Sequence, residues 1–320
     1  MKVLGIETSC DETAASLVDG TGVLADVVHT QAIHQAFGGV VPEHAARAHA
    51  EKLQAVVRAA LAEAGVEKPD AVVATAGPGL IGAVLVGFCY GKALAAGWGV
   101  PFLGVNHLEG HLLSCLLEDP APTFPFLALV VSGGHTTLYR ADALGDYSVL
   151  ASTVDDAAGE AYDKVARMLG LGYPGGPIVD RLAAQGDPTA VPLPRPRATD
   201  LDWSFSGLKT AVRQHLIQNP DARPEDVCAG FQAAVVDVLL DRASRAAERT
   251  GIRQLAFAGG VAANAELRRR AAETGLEVFF PPRSRCTDNG SMIANAGRMH
   301  LLAGATHPLS MGVQPRWSLG

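Results

Sequence analysis

The amino-acid sequence predicts an α/β protein built from two similar halves. Each half has the order β-β-β-α-β-α-β-α, in which three strands precede alternating helices and strands. A turn of small or polar residues follows the first strand of each half, at residues 8–13 and again at 132–135. A repeated order of this length indicates a duplicated domain. We therefore expect two α/β domains with a cleft between them, and both turns are expected to face that cleft.

Hydrophobic periodicity and turn signals predict each element in order. The first half has strands at 3–7, 14–18 and 23–29, a helix at 43–64, a strand at 70–75, a helix at 80–96 and a strand at 102–105. The second half has strands at 126–131, 136–139 and 147–153, helices at 160–169 and 224–249, a strand at 254–258, a helix at 262–274, a strand at 276–280 and a helix at 288–302. We therefore place the domains at residues 1–120 and 121–305. A helical or loop insertion is expected at about 172–223 and a C-terminal tail at 306–320.

Composition favours a cytoplasmic protein without a membrane anchor. The 320 residues are 48% hydrophobic, and the five cysteines never form a C-x-x-C pair, which argues against a disulfide framework or a zinc ribbon. The chain starts with a predicted strand rather than a signal peptide. Residues 80–97 are apolar but interrupted by glycine and polar residues, so we expect a buried helix there and no membrane span.

The net charge of −7 does not predict unaided binding to nucleic acid, which usually requires a basic surface. Basic residues occur only locally. They are Arg195 and Arg197, Lys209 and Arg213, Arg268 to Arg270, and Arg283 and Arg285. A polyanionic partner is therefore permitted but not required.

A histidine pair is the strongest chemical signal in the first half. His107 and His111 are four residues apart, so on a helix they share one face. Asp288, in a polar stretch of the second domain, is the obvious third ligand. Two imidazoles and one carboxylate suit zinc or ferrous iron with open positions for a substrate. Capping or core histidines, a metallopeptidase and a non-haem oxygenase remain alternatives. A peptidase base would directly follow the first His, whereas Glu109 lies two residues after His107, about 200° round the helix, and is expected to point away from a metal.

Small-residue turns indicate a bound nucleotide phosphate. Ser132, Gly133 and Gly134 let backbone N–H groups approach an anion, and the hydroxyls at residues 8–9 offer donors in the equivalent turn. Asp11 and Glu12 follow that first turn, where they could bind a cation or act as a base. Either turn alone is more often an ordinary hairpin, and it is their pairing at equivalent places in the repeat that indicates a phosphate site.

Three further polar residues are candidates for contacts with a ribose or a base. Asn264 follows the Gly-Gly turn at 259–260, which ends a strand and opens a helix. Asp163 and Asp180 flank the loop at 173–177 and could hold ribose hydroxyls. Taken singly, acids of this kind are more often solvated surface residues. A sugar kinase or an ATPase of a duplicated fold would use similar phosphate turns, but it would not explain the histidine pair.

Taken together, these segments resemble the bacterial tRNA threonylcarbamoyladenosine transferase family, TsaD. The resemblance runs from residue 3 to about residue 300. It includes IETSCDET (6–13), the His107/His111 pair, VSGGHT (131–136), DDAAGEA (155–161), YPGGP (173–177), FSGLKT (205–210), GGVAAN (259–264) and TDNG (287–290). It implies the duplicated actin/Hsp70/sugar-kinase (ASKHA, ribonuclease H-like) fold. It also implies transfer of the threonylcarbamoyl group from threonylcarbamoyl-AMP to N6 of the adenosine 3′ of the anticodon (position 37), in tRNAs reading codons that begin with A, with release of AMP.

The same resemblance implies roles for particular residues. His107, His111 and Asp288 would hold one Fe²⁺ per subunit, with zinc in the isolated protein. Independently of the resemblance, the weak nucleophile N6 needs help from proximity and a base, for which Asp11 or Glu12 is the candidate. The adenylate would be bound by Val131, Ser132, Gly133, Gly134, His135, Asp163, Gly176, Asp180 and Asn264. Archaeal and eukaryotic relatives place a metal-binding Tyr where this chain has Val130, so water or substrate would fill the fourth metal position.

The resemblance also implies partners. Family members act on tRNA with a paralogous TsaB-like protein and a small TsaE-like ATPase, and a homodimer is compatible with the sequence. The metallopeptidase and the ASKHA-type sugar kinase or ATPase remain the alternative functions at this point.

Overall fold

The first unit is built around a mixed sheet that carries helices on both faces. The computed structural model describes residues 1–196 and 200–320, and its first unit comprises Met1–Ala121 and Thr287–Gly320. Its strands are β1 (Val3–Glu7), β2 (Glu12–Asp19), β3 (Gly22–Thr30), β4 (Ala71–Gly77) and β5 (Phe102–Asn106). Its N-terminal helices are α1 (Pro42–Glu63), α2 (Ile81–Trp98) and α3 (His107–Leu112). The order across the sheet is β3-β2-β1-β4-β5, antiparallel from β1 to β3 and parallel from β1 to β5.

The second unit, Pro122–Cys286, repeats this topology. Its strands are β6 (Phe126–Val131), β7 (Thr136–Ala143), β8 (Asp146–Ser152), β9 (Gln254–Ala258) and β10 (Glu277–Phe279). Its helices are α4 (Ala158–Met168), α5 (Gly175–Ala183), α6 (Ser206–Gln218), α7 (Pro224–Thr250) and α8 (Ala265–Ala271). The strand order β8-β7-β6-β9-β10 matches that of the first sheet. The predicted duplication is therefore confirmed, and the insertion at 172–223 contains α5 and α6.

The last helix, α9 (Gly290–Leu302), corrects the predicted domain boundary. We expected residues 288–302 to complete the second domain, but they belong to the first unit. A Cβ atom built on Gly5 of β1 would lie 2.5 Å from the backbone nitrogen of Ala294, and one built on Gly290 would lie 2.5 Å from the backbone nitrogen of Ser16. Gly290, Ala294 and Gly297 are spaced along one face of the helix, which lets its backbone approach the sheet closely. The repeated order of elements gave no indication that the chain returns to the first unit after residue 286.

Alternation along β1 explains why both faces of the first sheet are covered. Gly5 faces α9, whereas the side chain of the next residue, Ile6, lies about 3.5 Å from a Cβ built on Gly91 of α2. Successive residues of a strand point to opposite faces, so α9 and α2 cover opposite sides. A strand buried on both faces reads as a continuous apolar run, as Val3 to Ile6 does. Glu7, which ends the run, is the exception.

The C-terminal residues 306–320 are not a loose tail. His307 N donates to Phe102 O at 3.0 Å, and Gln314 N donates to Ala76 O at 2.6 Å. Gly79 N in turn donates to Pro315 O at 3.2 Å. These bonds tie the segment to the first residue of β5, to the carboxyl-terminal end of β4 and to the turn after β4, where they satisfy backbone polar groups. Residues 306–320 are thus part of the first unit.

Helix α2 is less buried than the sequence predicts. Ile81–Trp98 is long and apolar enough to cross a membrane by length and composition, with a mean hydropathy of 1.4, and one third of it is buried. Its buried face includes Ala83, Val84 and Phe88, while Ile81 and Leu85 are exposed on the other side. The predicted buried helix is therefore buried on one face only, because only that face of α2 packs on the sheet.

Replacing Gly5 with alanine should destabilise the first unit. The added methyl group would overlap the backbone of α9, and overpacking of this kind costs about 1–3 kcal/mol. The measurement is the midpoint of urea unfolding. Gly97→Ala is the matched control, because no atom lies within 4 Å of its Cβ position and it should be neutral or stabilising by up to about 1 kcal/mol. Equal stability of both variants would contradict the packing of α9 on β1.

Candidate functional site

The histidine helix begins directly after a strand and is capped by that strand's last residue. Asn106 ends β5, and its side-chain oxygen accepts hydrogen bonds from Leu108 N at 2.9 Å and Glu109 N at 3.4 Å. An Asn at this position satisfies free backbone N–H groups of the first turn. Its amide also donates to Trp317 O at 3.3 Å, so the C-terminal segment helps to fix the cap.

The structure brings His107, His111 and Asp288 together. His111 Nε2 lies 3.0 Å and His107 Nε2 lies 3.6 Å from Asp288 Oδ1. One donor atom from each of the three residues lies within 4.8 Å of the other two. Both imidazoles are buried, and their ring centroids are 4.8 Å apart. Two nitrogens and one oxygen at this spacing fit a small divalent ion with open coordination positions.

Sequence reasoning missed Glu7, which lies directly behind His107. Glu7 Oε2 is 3.0 Å from His107 Nδ1, and the carboxylate also accepts hydrogen bonds from Thr75 Oγ1 at 2.5 Å and from Ser9 N. Burial would raise the pKa of Glu7, but the charge and hydrogen bond of His107 outweigh burial and lower this pKa. Burial also lowers the pKa of His107, whereas the negative charges of Asp288 and Glu7 raise it overall, to about 9. A charged residue at the end of a buried strand was the available signal.

The predicted base candidates lie on the turn after β1. Glu12 is the first residue of β2, and Asp11 precedes it. Burial raises the pKa of Glu12 well above its usual value, and the negative charges of Asp288 and Asp11 raise it further. Glu12 therefore lies within electrostatic reach of Asp288, one of the three candidate metal ligands. A carboxylate with a raised pKa is a stronger base than an exposed one.

The hydroxyls that we expected this turn to offer to a phosphate are used internally. Thr8 Oγ1 donates to Ala83 O of α2 at 2.9 Å, and Ser9 Oγ lies 3.2 Å from His107 Nδ1. Both side chains are buried. The prediction of a phosphate turn at residues 8–9 was therefore wrong, because this turn packs on α2 and on the histidine helix.

A buried polar network that sequence reasoning also missed supports the same turn. His49 of α1 lies 3.0 Å from Cys10 O through Nε2 and 2.7 Å from Thr13 Oγ1 through Nδ1. Gln31 Nε2 approaches the same Nδ1 at 3.2 Å, and Gln31 Oε1 lies 2.9 Å from His34 Nε2. Because Cys10 O is an acceptor, His49 donates through Nε2 and accepts at Nδ1, which is a neutral imidazole.

Glu109 pairs with a histidine of α9 and not with His107, His111 or Asp288. Its Oε1 lies 2.8 Å from His300 Nε2 of α9. This contact joins α3, which carries both histidines, to α9, which follows Asp288. The hydrogen bond with Glu109 raises the pKa of His300, although partial burial of this imidazole acts in the opposite direction. The side chain is thus a structural partner and not a base for a metal-bound water.

In the second unit, the Ser132–His135 turn exposes backbone groups. Ser132 Oγ accepts hydrogen bonds from Gly134 N at 3.3 Å and His135 N at 3.1 Å, which fixes the turn. A Cβ built on Gly133 or Gly134 would meet no atom within 4 Å. Gly259, with φ of +87°, approaches so closely that its Cβ would lie 2.4 Å from Val131 O. The structure therefore brings the turns at 132–135 and 259–260 to one edge of the sheet, after the parallel strands β6 and β9.

The other predicted adenylate residues form a second group in this unit. Asn264 Nδ2 donates to Asp180 Oδ1 at 3.0 Å and to Gln232 Oε1 at 2.7 Å. Asp163 Oδ1 accepts from Gly175 N at 2.7 Å, which places Gly176 at the start of α5 with open space at its Cβ position. The structure thus joins Asp180 to Asn264, and Asp163 to the Gly175–Gly176 turn.

A cavity of about 370 Å³ adjoins this group. Its lining includes Asp180, Gln232, Ala265, Glu266 and Arg269. This volume lies within the range of small-molecule sites. Gln232 and Glu266 were missed by sequence reasoning, although Gln232 is a lone amide among the apolar residues of α7 and gave a signal there.

Four of the basic residues that the sequence singles out in the second unit are paired with acids. The pairs are Arg195 and Arg270 with Asp237, Lys209 with Asp156, and Arg269 with Glu266 and Glu273. Arg197 lies outside the residues that the structure describes. These pairs reduce the positive charge that the second unit presents to a polyanion.

Comparison with known proteins decides the family. Residues 22–295 match the family model described as "TsaD: tRNA N6-adenosine threonylcarbamoyltransferase". The chain belongs to this family. A relative from Anaeromyxobacter dehalogenans (strain 2CP-C), named tRNA N6-adenosine threonylcarbamoyltransferase, is 52% identical and is matched over 99% of both chains.

Solved structures support the fold. The chain resembles full-length HypF in its phosphate- and nucleotide-bound form with a TM-score of 0.65 and 15% identity, covering 95% of this chain and 47% of that one. It also resembles the (R)-2-hydroxyglutaryl-CoA dehydratase component A of Acidaminococcus fermentans, with a TM-score of 0.56 and 17% identity over 93% and 97% of the two chains. The fold is the expected duplicated ASKHA-like α/β architecture.

The His49 network should make stability depend on pH. Burial lowers the pKa of His49 from 6.5, with Glu7 and Asp11 opposing this effect and His34 adding to it. The stabilisation by neutral His49 is therefore present above about pH 6.5 and is lost as the pH falls through 6.5 toward the folded-state pKa. Between pH 7 and pH 5, urea unfolding of the metal-free protein should show a loss of stability that His49→Gln reduces.

The matched control for this experiment is His29→Gln, since His29 is exposed at the end of β3. It should retain the pH dependence of the unsubstituted protein. If the stability of His49→Gln and of the unsubstituted protein depended on pH in the same way, this network would not disfavour protonation of His49.

Proposed function

We propose that this chain transfers a threonylcarbamoyl group from threonylcarbamoyl-AMP to N6 of adenosine 37 in tRNAs that read codons beginning with A. Membership of the tRNA N6-adenosine threonylcarbamoyltransferase family is the observation that carries this proposal. The geometry supports it, since the chain has a compact His107–His111–Asp288 cluster in one unit and an exposed glycine turn in the other. Two kinds of site are expected of an enzyme that handles an adenylate with a metal ion.

The adenylate is assigned to the second unit. The open space at the Cβ positions of Gly133 and Gly134 suits a phosphate, because no side chain blocks its approach to the backbone of this turn. Asp180 and Asn264, next to the 370 Å³ cavity, suit ribose hydroxyls and a base. Asp163 supports the turn at Gly175–Gly176 rather than projecting as an isolated acid. Val131 and His135 complete the binding turn through their backbone.

His107, His111 and Asp288 are assigned to one ferrous ion, with zinc as an alternative in isolated protein. Such an ion supplies Lewis-acid chemistry toward a carboxylate or a carbonyl oxygen. The protein itself fixes the three donor atoms: α3 holds both imidazoles, and Asp288 lies just before α9. Buried ligands of this kind exclude water from all but the open positions.

The reaction needs no covalent enzyme intermediate. The donor is a mixed carbamic–phosphoric anhydride, so a bond from N6 to the carbamoyl carbon forms as the bond from that carbon to the phosphate oxygen breaks. AMP leaves with the bonding pair, and N6 loses one proton. Proximity is expected to dominate, since N6 is a weak nucleophile. Asp11 or Glu12 is the proposed acceptor of that proton, and the raised pKa of Glu12 favours the latter.

The proposed function implies partners and a location. We propose that a paralogous TsaB-like protein and a TsaE-like ATPase assist turnover, with tRNA as the acceptor. The exposed apolar residues Ile81 and Leu85 on α2 offer one face that a partner or a second copy of the chain would cover. A tRNA substrate and free cysteines support action in the cytoplasm.

The alternative functions are less well supported. In a metallopeptidase, Glu109 would have to reach the metal-bound water, but it pairs with His300. A sugar kinase or ATPase would have no use for the buried His107–His111–Asp288 cluster. Full-length relatives named as transferases agree with the transferase function.

Replacing His111 with alanine should abolish both stoichiometric metal and transfer. Because two remaining donors rarely hold an ion, iron content by elemental analysis should fall from about one per chain to near zero. Transfer is measured by nucleoside analysis of tRNA after incubation with threonine, bicarbonate, ATP and an adenylate-forming partner. His29→Ala, an exposed histidine, is the control and should keep its metal. Full iron content in His111→Ala would rule out the ligand assignment.

Replacing Gly134 with alanine should weaken adenylate binding without affecting the fold. Its Cβ position is open, so the methyl group would project into the space assigned to the phosphate. We expect a higher KM for threonylcarbamoyl-AMP and an unchanged urea midpoint. Gly207→Ala, also in open space but on α6, is the control. An unchanged KM in Gly134→Ala would show that the phosphate does not bind at this turn.

A further inference from the structure

Glu7 occupies a position that a hydrophobic residue would normally take. It ends the buried strand β1, is fully inaccessible to solvent, and uses both carboxylate oxygens. Oε1 accepts from Ser9 N, while Oε2 accepts from Thr75 Oγ1 at 2.5 Å and lies 3.0 Å from His107 Nδ1. Burying an ionised carboxylate costs free energy unless hydrogen bonds or an opposite charge compensate it. Glu7 makes such bonds, which an apolar residue at this position could not make.

The hydrogen bond fixes which nitrogen of His107 carries the proton. An ionised carboxylate only accepts hydrogen bonds, so the proton between Glu7 Oε2 and His107 Nδ1 belongs to Nδ1. The lone pair of a neutral His107 is then on Nε2. That atom lies 3.6 Å from Asp288 Oδ1, on the side of the other two donors. The arrangement is that of a carboxylate–histidine pair behind a metal ligand.

We propose that Glu7 is a positioning residue that holds His107 in the Nδ1–H tautomer and orients its Nε2 toward the ion. This inference rests on the proposed metal role of His107, His111 and Asp288. Glu7 does not touch the ion itself. Its negative charge, added to that of Asp288, also balances the charge of a bound divalent cation inside the protein.

The geometry predicts what happens when the carboxylate becomes an amide. Ser9 N–H needs an oxygen acceptor, so the carbonyl of a Gln at this position turns to Ser9 and its NH₂ group takes the place of Oε2. That NH₂ group donates to His107 Nδ1, which moves the imidazole proton to Nε2, the atom that faces the ion. Glu7→Gln thus keeps the shape of the side chain and reverses the tautomer of its partner.

The test measures metal affinity in four proteins. Zn²⁺ and Co²⁺ are titrated against a competing chelator into the metal-free wild-type protein, Glu7→Gln, Thr75→Val and His111→Ala. Glu7→Gln should bind about 10–100-fold more weakly than wild type, which is the usual loss for such an outer partner. It should also show an altered d–d absorption spectrum with Co²⁺. Thr75→Val removes a hydroxyl bonded to the same Oε2 but leaves the acceptor, so its loss should be smaller.

Each result has a distinct meaning. Wild-type affinity in Glu7→Gln together with loss in His111→Ala overturns the role of Glu7 and leaves the proposed ion site intact. Wild-type affinity in both variants overturns the site and the inference with it. An equal loss in Thr75→Val and Glu7→Gln also overturns the inference, because disturbed packing around Glu7 would then explain both.

A measurement on the unsubstituted protein keeps the test independent of folding in the variant. ¹⁵N-histidine labelling of the zinc-loaded protein distinguishes a protonated from a metal-bound ring nitrogen, and the His107 signals are assigned by their loss in His107→Asn. We expect a protonated, hydrogen-bonded Nδ1 and a metal-bound Nε2. Metal on Nδ1, or a proton on Nε2, would overturn the inference.

Discussion

The close approach of α9 to β1 and β2 is the constraint on which the candidate metal site depends. Gly5 and Gly290 leave no room for a Cβ atom, so the helix backbone lies directly against the strands. Asp288 is two residues before this helix, and Asn289 caps it by accepting from Met292 N at 2.9 Å. The position of the carboxylate thus follows from backbone packing and not from the flexible reach of a side chain. A site built on rigid elements in this way holds its donor atoms at a fixed spacing.

Much of the fold could be predicted from local signals, and the errors share one cause. Strands such as Phe126–Val131 and turns such as 132–135 follow from runs of apolar and small residues that act over a few positions. The return of residues 287–320 to the first unit depends on contacts between positions nearly 300 residues apart, such as that of Ala294 with Gly5. A repeated order of elements suggests a boundary, but it does not say which sheet the final helix joins. The small residues at 290, 294 and 297 were the local sequence signal for the close packing of the last helix on the first sheet.

The same limit applies to the site. The spacing of His107 and His111 could be interpreted because both belong to one short helix. Glu7 and His49 could not be, since their importance lies in partners brought together by the fold: Thr75 and His107 for Glu7, Cys10 and Thr13 for His49. A buried acid at the end of an apolar strand is conspicuous in the sequence, but nothing local says which base it faces. The structure supplies that partner, and with it a chemical reason for the acid.

The two turns that follow the first strands of the repeat have diverged in a physically consistent way. At the end of β1 the chain has the buried acid Glu7, whereas the equivalent end of β6 is the apolar Val131. The turn after Glu7 is drawn inward: Thr8 bonds to α2 and Ser9 approaches His107, so its groups support the histidine helix. The turn after Val131 is closed by hydrogen bonds of Ser132, and no atom lies within 4 Å of the Cβ positions of Gly133 and Gly134. An inward turn with a buried carboxylate suits a cation, and an open turn of backbone N–H groups suits an anion. We therefore expect the duplicated element to suit opposite charges in the two units, and the residue at the end of its first strand marks the difference.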